Sequence, residues 1–446
     1  MSVFKAYDVR GIYKEQIDET LAEKIGAAFV RLIGGGPIVV GRDMRSCAPS
    51  ITEAFIRGAV AQGADVVDIG LASTPQCYYA IGSLGVNGGV QITASHNPAK
   101  YIGMKFCRKD CVPVSGDTGI KQMEEWTKAP LPAAKEVKGK VTRRDVMKDY
   151  ITHVSRWVDR PIRLKTVIDA GNGMGGHELP PLLERLGIAC ERLYFELDGT
   201  FPNHEANPIK VENMREAMQR VISGKADIGL AFDGDADRCA FIDERGERVS
   251  NDIMTAIIAR EVLRTHPGSA VVYDLRSSRV VAEEVTKAGG RPIKERVGHS
   301  FIKATMRRND ACCGGELSGH YYFKENFTSD SGLIAMLIVL NILERDRVKL
   351  SELAKPLMRY PATGELNFEV EDKDGVIADL RKIFVDAKIS DLDGVTIEYP
   401  NYWFNVRKSN TEPLLRLNLE ADDQATLDRV LARVAPLLGK PEVGGH

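Results

Sequence analysis

Along most of the chain, short runs of apolar residues stop at polar loops and give way to stretches in which apolar positions recur every three or four residues. That switch of period indicates α/β units. Three runs have the character of a first strand: Pro37–Gly41, Lys165–Asp169 and Ala270–Asp274. Each leads through helical sequence to a second run, Val66–Ile69, Arg192–Phe195 and Arg291–Lys294, and then to a third. The third runs end in unusual loops: Thr93-Ala94-Ser95-His96-Asn97-Pro98, Asp233-Gly234-Asp235-Ala236-Asp237-Arg238 and Gly315-Glu316-Leu317-Ser318-Gly319-His320. Open α/β sheets present ligands beyond strand carboxyl ends, so equivalent loops from three units can converge on one cleft.

From about Pro361 the pattern changes. A strand-like run at 364–369 precedes helical sequence near 376–387, strands near 394–399 and 402–406, and a closing helix. That order, β, α, β, β, α, suits a small α+β domain laid over the cleft. The predicted class is therefore α/β: three similar mixed α/β domains followed by a smaller α+β C-terminal domain around one central cleft. The expected limits are 1–143, 144–247, 248–360 and 361–446. A length of 446 residues agrees with three or four units at roughly 100–200 residues each. The longest apolar segment, Gly332 to Leu343, is too short to span a bilayer and reads as a buried helix.

Composition narrows the function classes. With 60 Lys+Arg against 62 Asp+Glu and no basic run, the chain lacks the general attraction that nucleic acid requires. Lys5, Asp8 and Arg10 interrupt the N-terminal stretch where an export signal would be apolar. The eight cysteines show no C-x-x-C spacing, so free thiols in a reducing cytoplasm are the expectation.

Asp233, Asp235 and Asp237 place three carboxylates at alternate positions, a spacing with which a tight loop directs oxygens at one hard cation, magnesium or calcium before zinc. An EF-hand would use Glu244 as its twelfth residue, but Arg238 stands where that loop needs glycine. Ser95 alone reads as a turn or helix cap, and it lacks the G-x-S-x-G elbow of a hydrolase. A serine phosphate beside a metal held by three carboxylates makes different sense, because the cation offsets the repulsion and polarises the phosphoryl group. Gly171, Gly173 and Gly176 match G-x-G-x-x-G, with Glu191 about twenty residues on. With no second feature for a nicotinamide cofactor, this reads as a structural glycine turn. Arg407, Lys408, Ser409, Asn410 and Thr411 combine the donors a phosphate dianion needs, with Arg416 close by, although a polar surface turn has the same composition. Glu316, Ser318 and His320 alternate along what reads as extended chain, facing one way toward sugar hydroxyls or tied in a structural network.

These motifs resemble the α-D-phosphohexomutase superfamily, most closely its bacterial phosphomannomutase/phosphoglucomutase group. The resemblance spans nearly the whole chain: Phe4 to Gly11, T-A-S-H-N-P, Gly103-Met104-Lys105, D-G-D-A-D-R, Gly298-His299, G-E-L-S-G-H and R-K-S-N-T-E-P. It implies a phosphoryl group on Ser95, with Mg2+ held by that phosphate and by Asp233, Asp235 and Asp237. Arg238 would steady the transferring phosphate. His96 and Lys105 would assist with protons, Lys105 needing a lowered pKa to act as a base. Tyr7, Arg10 and Arg276 would line the cleft, Gly298 and His299 would meet the sugar, and Glu316, Ser318 and His320 would form the sugar loop. Arg407, Ser409, Asn410 and Thr411 would hold the phosphate that is not reacting.

The implied reaction moves a phosphoryl group between C1 and C6 of mannose and/or glucose phosphates through a hexose 1,6-bisphosphate. The implied partners are small hexose phosphates, not nucleic acid or membrane, for a cytoplasmic monomer with a dimer as the alternative. Relatives preferring N-acetylglucosamine phosphates usually carry Gln where this chain has Leu317, and many phosphomanno/phosphoglucomutases have Met. Leucine and methionine are close in volume, so Leu317 disfavours the glucosamine branch and leaves the C2 preference open. A phosphoglucosamine mutase, a metal-dependent sugar phosphatase and a dinucleotide-binding module are the competing readings.

Overall fold

The computed structural model describes residues 2–409 and 414–441. Four sheets follow one another along the chain, and the first three share one arrangement. In each, the first strand lies between the second and third, all parallel, and the third turns back into an antiparallel neighbour. In domain I these are Ile38–Arg42 between Val66–Leu71 and Gly88–Ile92, with Tyr101–Arg108 returning. In domain II they are Thr166–Asp169 between Cys190–Leu193 and Ile228–Phe232, with Cys239–Ile242 returning. In domain III they are Ala270–Asp274 between Arg291–Glu295 and Cys313–Gly315, with Tyr321–Phe323 returning. Because each third strand ends in a tight return, the three chemically unusual loops occupy equivalent places. The short strand Arg248–Val249, just past residue 247, still pairs in the second sheet.

The central parallel strands are buried on both faces, which explains their continuous apolar runs. Domain I has its own core, whereas domains II and III share one. Through that shared core runs the helix Gly332–Asp346, buried from Gly332 to Leu343 as its composition predicts. Among the described residues no helix is long and apolar enough to cross a membrane.

The C-terminal sheet departs from the sequence reading in its helix limits and in its strands. The helix expected near 376–387 spans Lys373–Ile383, because Phe384 turns into the core against Phe404 and the chain goes on as the strand Lys388–Ser390. A strand the reading omitted, Leu414–Ala421, lies between Tyr402–Lys408 and Ala362–Glu369. Its signal was present: Leu415, Leu417 and Leu419 alternate with Arg416, Asn418 and Glu420, and the leucines enter the core. In domain II the run expected at 192–195 stops at Leu193, where Tyr194 takes a left-handed conformation.

Candidate active site

Ser95 follows the third strand of domain I with φ +52°, a setting that costs a residue with a Cβ on the order of 1 kcal/mol and persists only when held. Arg45 holds it. The buried guanidinium donates to the carbonyls of Ser95 at 2.9 Å, Asn97 at 2.6 Å, Pro98 at 2.9 Å and Tyr101 at 3.1 Å, and pairs with Asp43 at 3.2 Å. The Ser95 hydroxyl donates to Asp233 Oδ2 at 2.9 Å and lies 3.1 Å from His96 Nδ1. Arg238 Nη2 is 2.9 Å from that same nitrogen, and a guanidinium only donates, so Nδ1 accepts and the serine proton goes to Asp233. Burial, then the charges of Arg238, Arg10 and Lys105, push the His96 pKa well below its ordinary value and leave the ring neutral.

Asp233, Asp235 and Asp237 are buried, and one oxygen from each lies within 4.8 Å of the others. Two glycines make their loop accessible to its neighbours. A methyl group on Gly234 would lie 2.4 Å from the Ser95 carbonyl oxygen, and one on Gly173 would lie 2.8 Å from the Gly234 carbonyl oxygen. Burial and repulsion from Asp237 and Asp235 push the Asp233 carboxyl up. Against the cost of burial, Lys105 above all holds Asp237 well below the usual carboxylate range.

Lys105 Nζ donates to Asp235 Oδ2 at 2.7 Å and to Asp237 Oδ2 at 2.6 Å. The lowered pKa expected for a base is corrected here. Against burial, Asp235, Asp237 and Asp233 hold the ammonium well above its ordinary value, so Lys105 is the triplet's counter-charge. Asp235 Oδ1 and Asp237 Oδ1 are buried and accept no hydrogen bond, and this all-oxygen set fits a hard divalent cation.

The loop at 315–320, expected to meet the sugar, is a turn and not the expected extended stretch. Gly319 takes φ +88° and donates to the Glu316 carbonyl at 2.9 Å, folding the segment back on itself. The turn nonetheless joins its polar residues: Ser318 Oγ lies 2.9 Å from His320 Nδ1, and His320 Nε2 accepts from Arg238 Nε at 3.3 Å. Arg238 therefore links the loops of all three domains. Glu316 accepts from the Gly298 N–H at 3.3 Å and from the Tyr322 hydroxyl. Gly298, at φ +131°, packs against Tyr7, whose ring stands edge-on to His299 at 5.5 Å. Arg10 pairs with Asp8 and donates to Asn97 Oδ1 at 3.2 Å. A cavity of about 230 Å³ opens here between Tyr7 of domain I, Arg296 and Phe301 of domain III, and Asp393 of domain IV.

Glu365 gathers the basic residues of domains III and IV. It pairs with Arg407, with Arg416 at 3.0 Å and with Arg276 at 3.6 Å. Arg276 also pairs with Asp274 at 2.7 Å, and Asp274 accepts from the Leu317 N–H at 2.9 Å. Burial lowers the Arg407 pKa, and its Nε is buried without a hydrogen bond. The Ser409 N–H donates to the Leu414 carbonyl at 2.9 Å. Asn410 and Thr411 lie outside the described residues. Polar contacts thus run from Ser95 through Asp233, Arg238 and the loop at 315–320 to Arg276, Glu365 and Arg407.

Four models of phosphoglucomutase/phosphomannomutase domains match the chain in order: domain I over 1–130, domain II over 148–246, domain III over 250–360 and the C-terminal domain over 365–437. The chain belongs to the phosphoglucomutase/phosphomannomutase family. A phosphomannomutase of Escherichia coli is 37% identical, with 98% of this chain and 99% of that one covered. A phosphomannomutase of Methanocaldococcus jannaschii is 38% identical, with 99% and 98% covered. Among solved structures, a phosphoglucomutase/phosphomannomutase family protein of Burkholderia thailandensis has a TM-score of 0.89 at 33% identity, covering 98% of this chain and 96% of that one. The chain is an enzyme, an isomerase that works by phosphohexomutase-type phosphoryl transfer.

In this phosphohexomutase the glycine fingerprint serves packing. Gly173 abuts the acidic loop, a methyl on Gly176 would meet the Phe195 carbonyl oxygen at 2.0 Å, and Asn172 is occupied by Asn203 and the Glu196 carbonyl. Sequence reasoning missed Arg45, Glu365 and Asp274. Arg45 had a signal, because Arg42-Asp43-Met44-Arg45 is a charged loop at the carboxyl end of a parallel strand.

Proposed function

We propose that the enzyme interconverts 1-phosphates and 6-phosphates of mannose and/or glucose, with Ser95 as the phosphoryl carrier and a hexose 1,6-bisphosphate as the intermediate. The observation that carries this reading is the 2.9 Å contact of Ser95 Oγ with Asp233 inside a triplet of buried carboxylates. Asp233, Asp235 and Asp237, with a phosphate on Ser95, would hold Mg2+. A bound Mg2+ supplies charge neutralisation and polarisation of the phosphoryl group.

In the first half-reaction the bond from Ser95 Oγ to phosphorus breaks as a sugar hydroxyl oxygen takes the phosphoryl group, and that hydroxyl gives up its proton. In-line transfer of this kind asks the protein mainly for positioning and charge. Arg238, fixed between His96 and His320, directs its guanidinium at the transferring group. The proton lost by the sugar hydroxyl ends on the Ser95 oxygen that the phosphoryl group leaves; Lys105, an ammonium held by the triplet, supplies positive charge, and the neutral His96 orients Arg238. Arg407 and Arg276 hold the distal phosphate in place of Glu365, and Tyr7, His299, Glu316 and Ser318 hold the sugar. The intermediate then turns over, and its other phosphate returns to Ser95. Leu317, apolar at the turn of the sugar loop, supports hexose over N-acetylhexosamine substrates.

The test is 31P NMR of the enzyme with mannose 1-phosphate or glucose 1-phosphate, Mg2+ and a trace of the matching 1,6-bisphosphate. The expected product is the 6-phosphate without inorganic phosphate. Inorganic phosphate released as fast as substrate disappears would make the enzyme a phosphatase, and turnover of glucosamine 1-phosphate alone would place it on the glucosamine branch.

A further inference from the structure

Behind the acidic loop, a carboxyl group without a cation sits at the junction of domains I and II. Glu178, in the domain II helix Gly175–Leu186, is fully buried, and its Oε2 accepts from Ser73 Oγ of domain I at 2.8 Å. Ser73 caps the helix Thr74–Ser83, its Oγ accepting from the Gln76 N–H at 3.0 Å, so its own proton is the one given to Glu178. The next residue, Thr74, donates from its N–H to the Asp235 carbonyl at 3.1 Å and from its hydroxyl to the Asp235 carboxylate. Domain III meets the same loop from another side, where the Gly332 N–H donates to the Ala236 carbonyl at 3.3 Å.

We propose that Glu178 is a positioning residue for phosphoryl transfer: it seats Ser73, and through Ser73 the Thr74 clamp that shapes Asp235 for a divalent cation. This rests on reading the acidic triplet as the metal site. Glu178 Oε1 is buried and takes no hydrogen bond. The titratable groups that face Glu178 are Tyr150, from the helix Met147–Ser155, and Asp235; no lysine, arginine or histidine among the described residues pairs with it. Ionising it would bury an uncompensated charge, and burial above all pushes the carboxyl up to about 8. Glutamine preserves the shape, the acceptor and the neutrality; leucine preserves only bulk.

Mn2+ titration of the full chain, followed by electron paramagnetic resonance, reads the metal site without turnover. Glu178→Gln should bind Mn2+ within about twofold of the parent, whereas Glu178→Leu and Ser73→Ala, folded by circular dichroism, should bind at least about tenfold more weakly, the usual range for residues that orient ligands. The parent's turnover should decline as pH rises past about 8, and Glu178→Gln, with parent-like turnover at neutral pH, should lack that decline. Parent-like Mn2+ affinity in folded Glu178→Leu overturns the inference while leaving the mutase reading intact. If that variant does not fold, parent-like affinity in Ser73→Ala overturns it instead. A parent that binds no Mn2+ overturns both readings.

Discussion

The Ser95 hydroxyl and the Asp233 carboxylate, 138 positions apart in the chain, meet at 2.9 Å. If that serine carries the phosphoryl group, Ser95→Ala keeps its fold and loses nearly all turnover. Peptide mapping of the parent before and after substrate should locate a phosphate on Ser95, and normal activity in the alanine variant would end the assignment.

The contact depends on a missing side chain. Alanine at Gly234 would bring a methyl to 2.4 Å from the Ser95 carbonyl oxygen, so the two loops must part by the better part of an ångström. A displacement of that size at the reacting centre costs on the order of 100-fold, so Gly234→Ala should lower kcat by about that factor with far-ultraviolet circular dichroism unchanged. Parent-like kcat would show that the approach of the loops is not required.

Lys105 compensates buried carboxylates, and removing it exposes their repulsion. Lys105→Met should destabilise the metal-free protein by about 3–5 kcal/mol, the usual cost of breaking a buried pair. Thermal melts in EDTA and in MgCl2 check this: Mg2+ should raise Tm more in the variant than in the parent, because a cation bound to the folded state restores what the ammonium supplied. Equal shifts would count against the triplet as the metal site.

Glu365 carries a pH signature. Against burial, Arg407, Arg276 and Arg416 hold its pKa below the ordinary 4.5. The depressed value means that its stabilisation is complete above the unfolded-state pKa and is lost as pH falls through the lower folded-state pKa. Glu365→Gln should therefore lower Tm at neutral pH and flatten the fall of Tm in acid. Hexose phosphate should recover more of the variant's stability than the parent's, since the released guanidinium groups then take up the phosphate. An unchanged acid profile would assign the Glu365 contribution to other residues.

Much of the fold was legible because its signals are local. The buried helix at Gly332–Asp346 and the central parallel strands declare themselves as continuous apolar runs. The strand Leu414–Ala421 was equally legible and was overlooked beside the basic loop before it. The loop at 315–320 was misread because alternation from Glu316 to His320 suits a strand, while Gly319 at positive φ closes a turn.

The amino-acid pattern alone determined the α/β class, the repeated three-strand units and the carboxylate, serine and arginine loops, because periodicity, turn chemistry and motif spacing are properties of neighbouring residues. Only the tertiary structure decided that Lys105 is the counter-charge of the acidic triplet, that Glu365 gathers Arg407, Arg416 and Arg276, that Arg45 holds the serine loop and that Glu178 lies buried behind the acidic one. Protonation and ion pairing follow from burial and from which charges lie within a few ångströms, and those distances join residues that are remote along the chain.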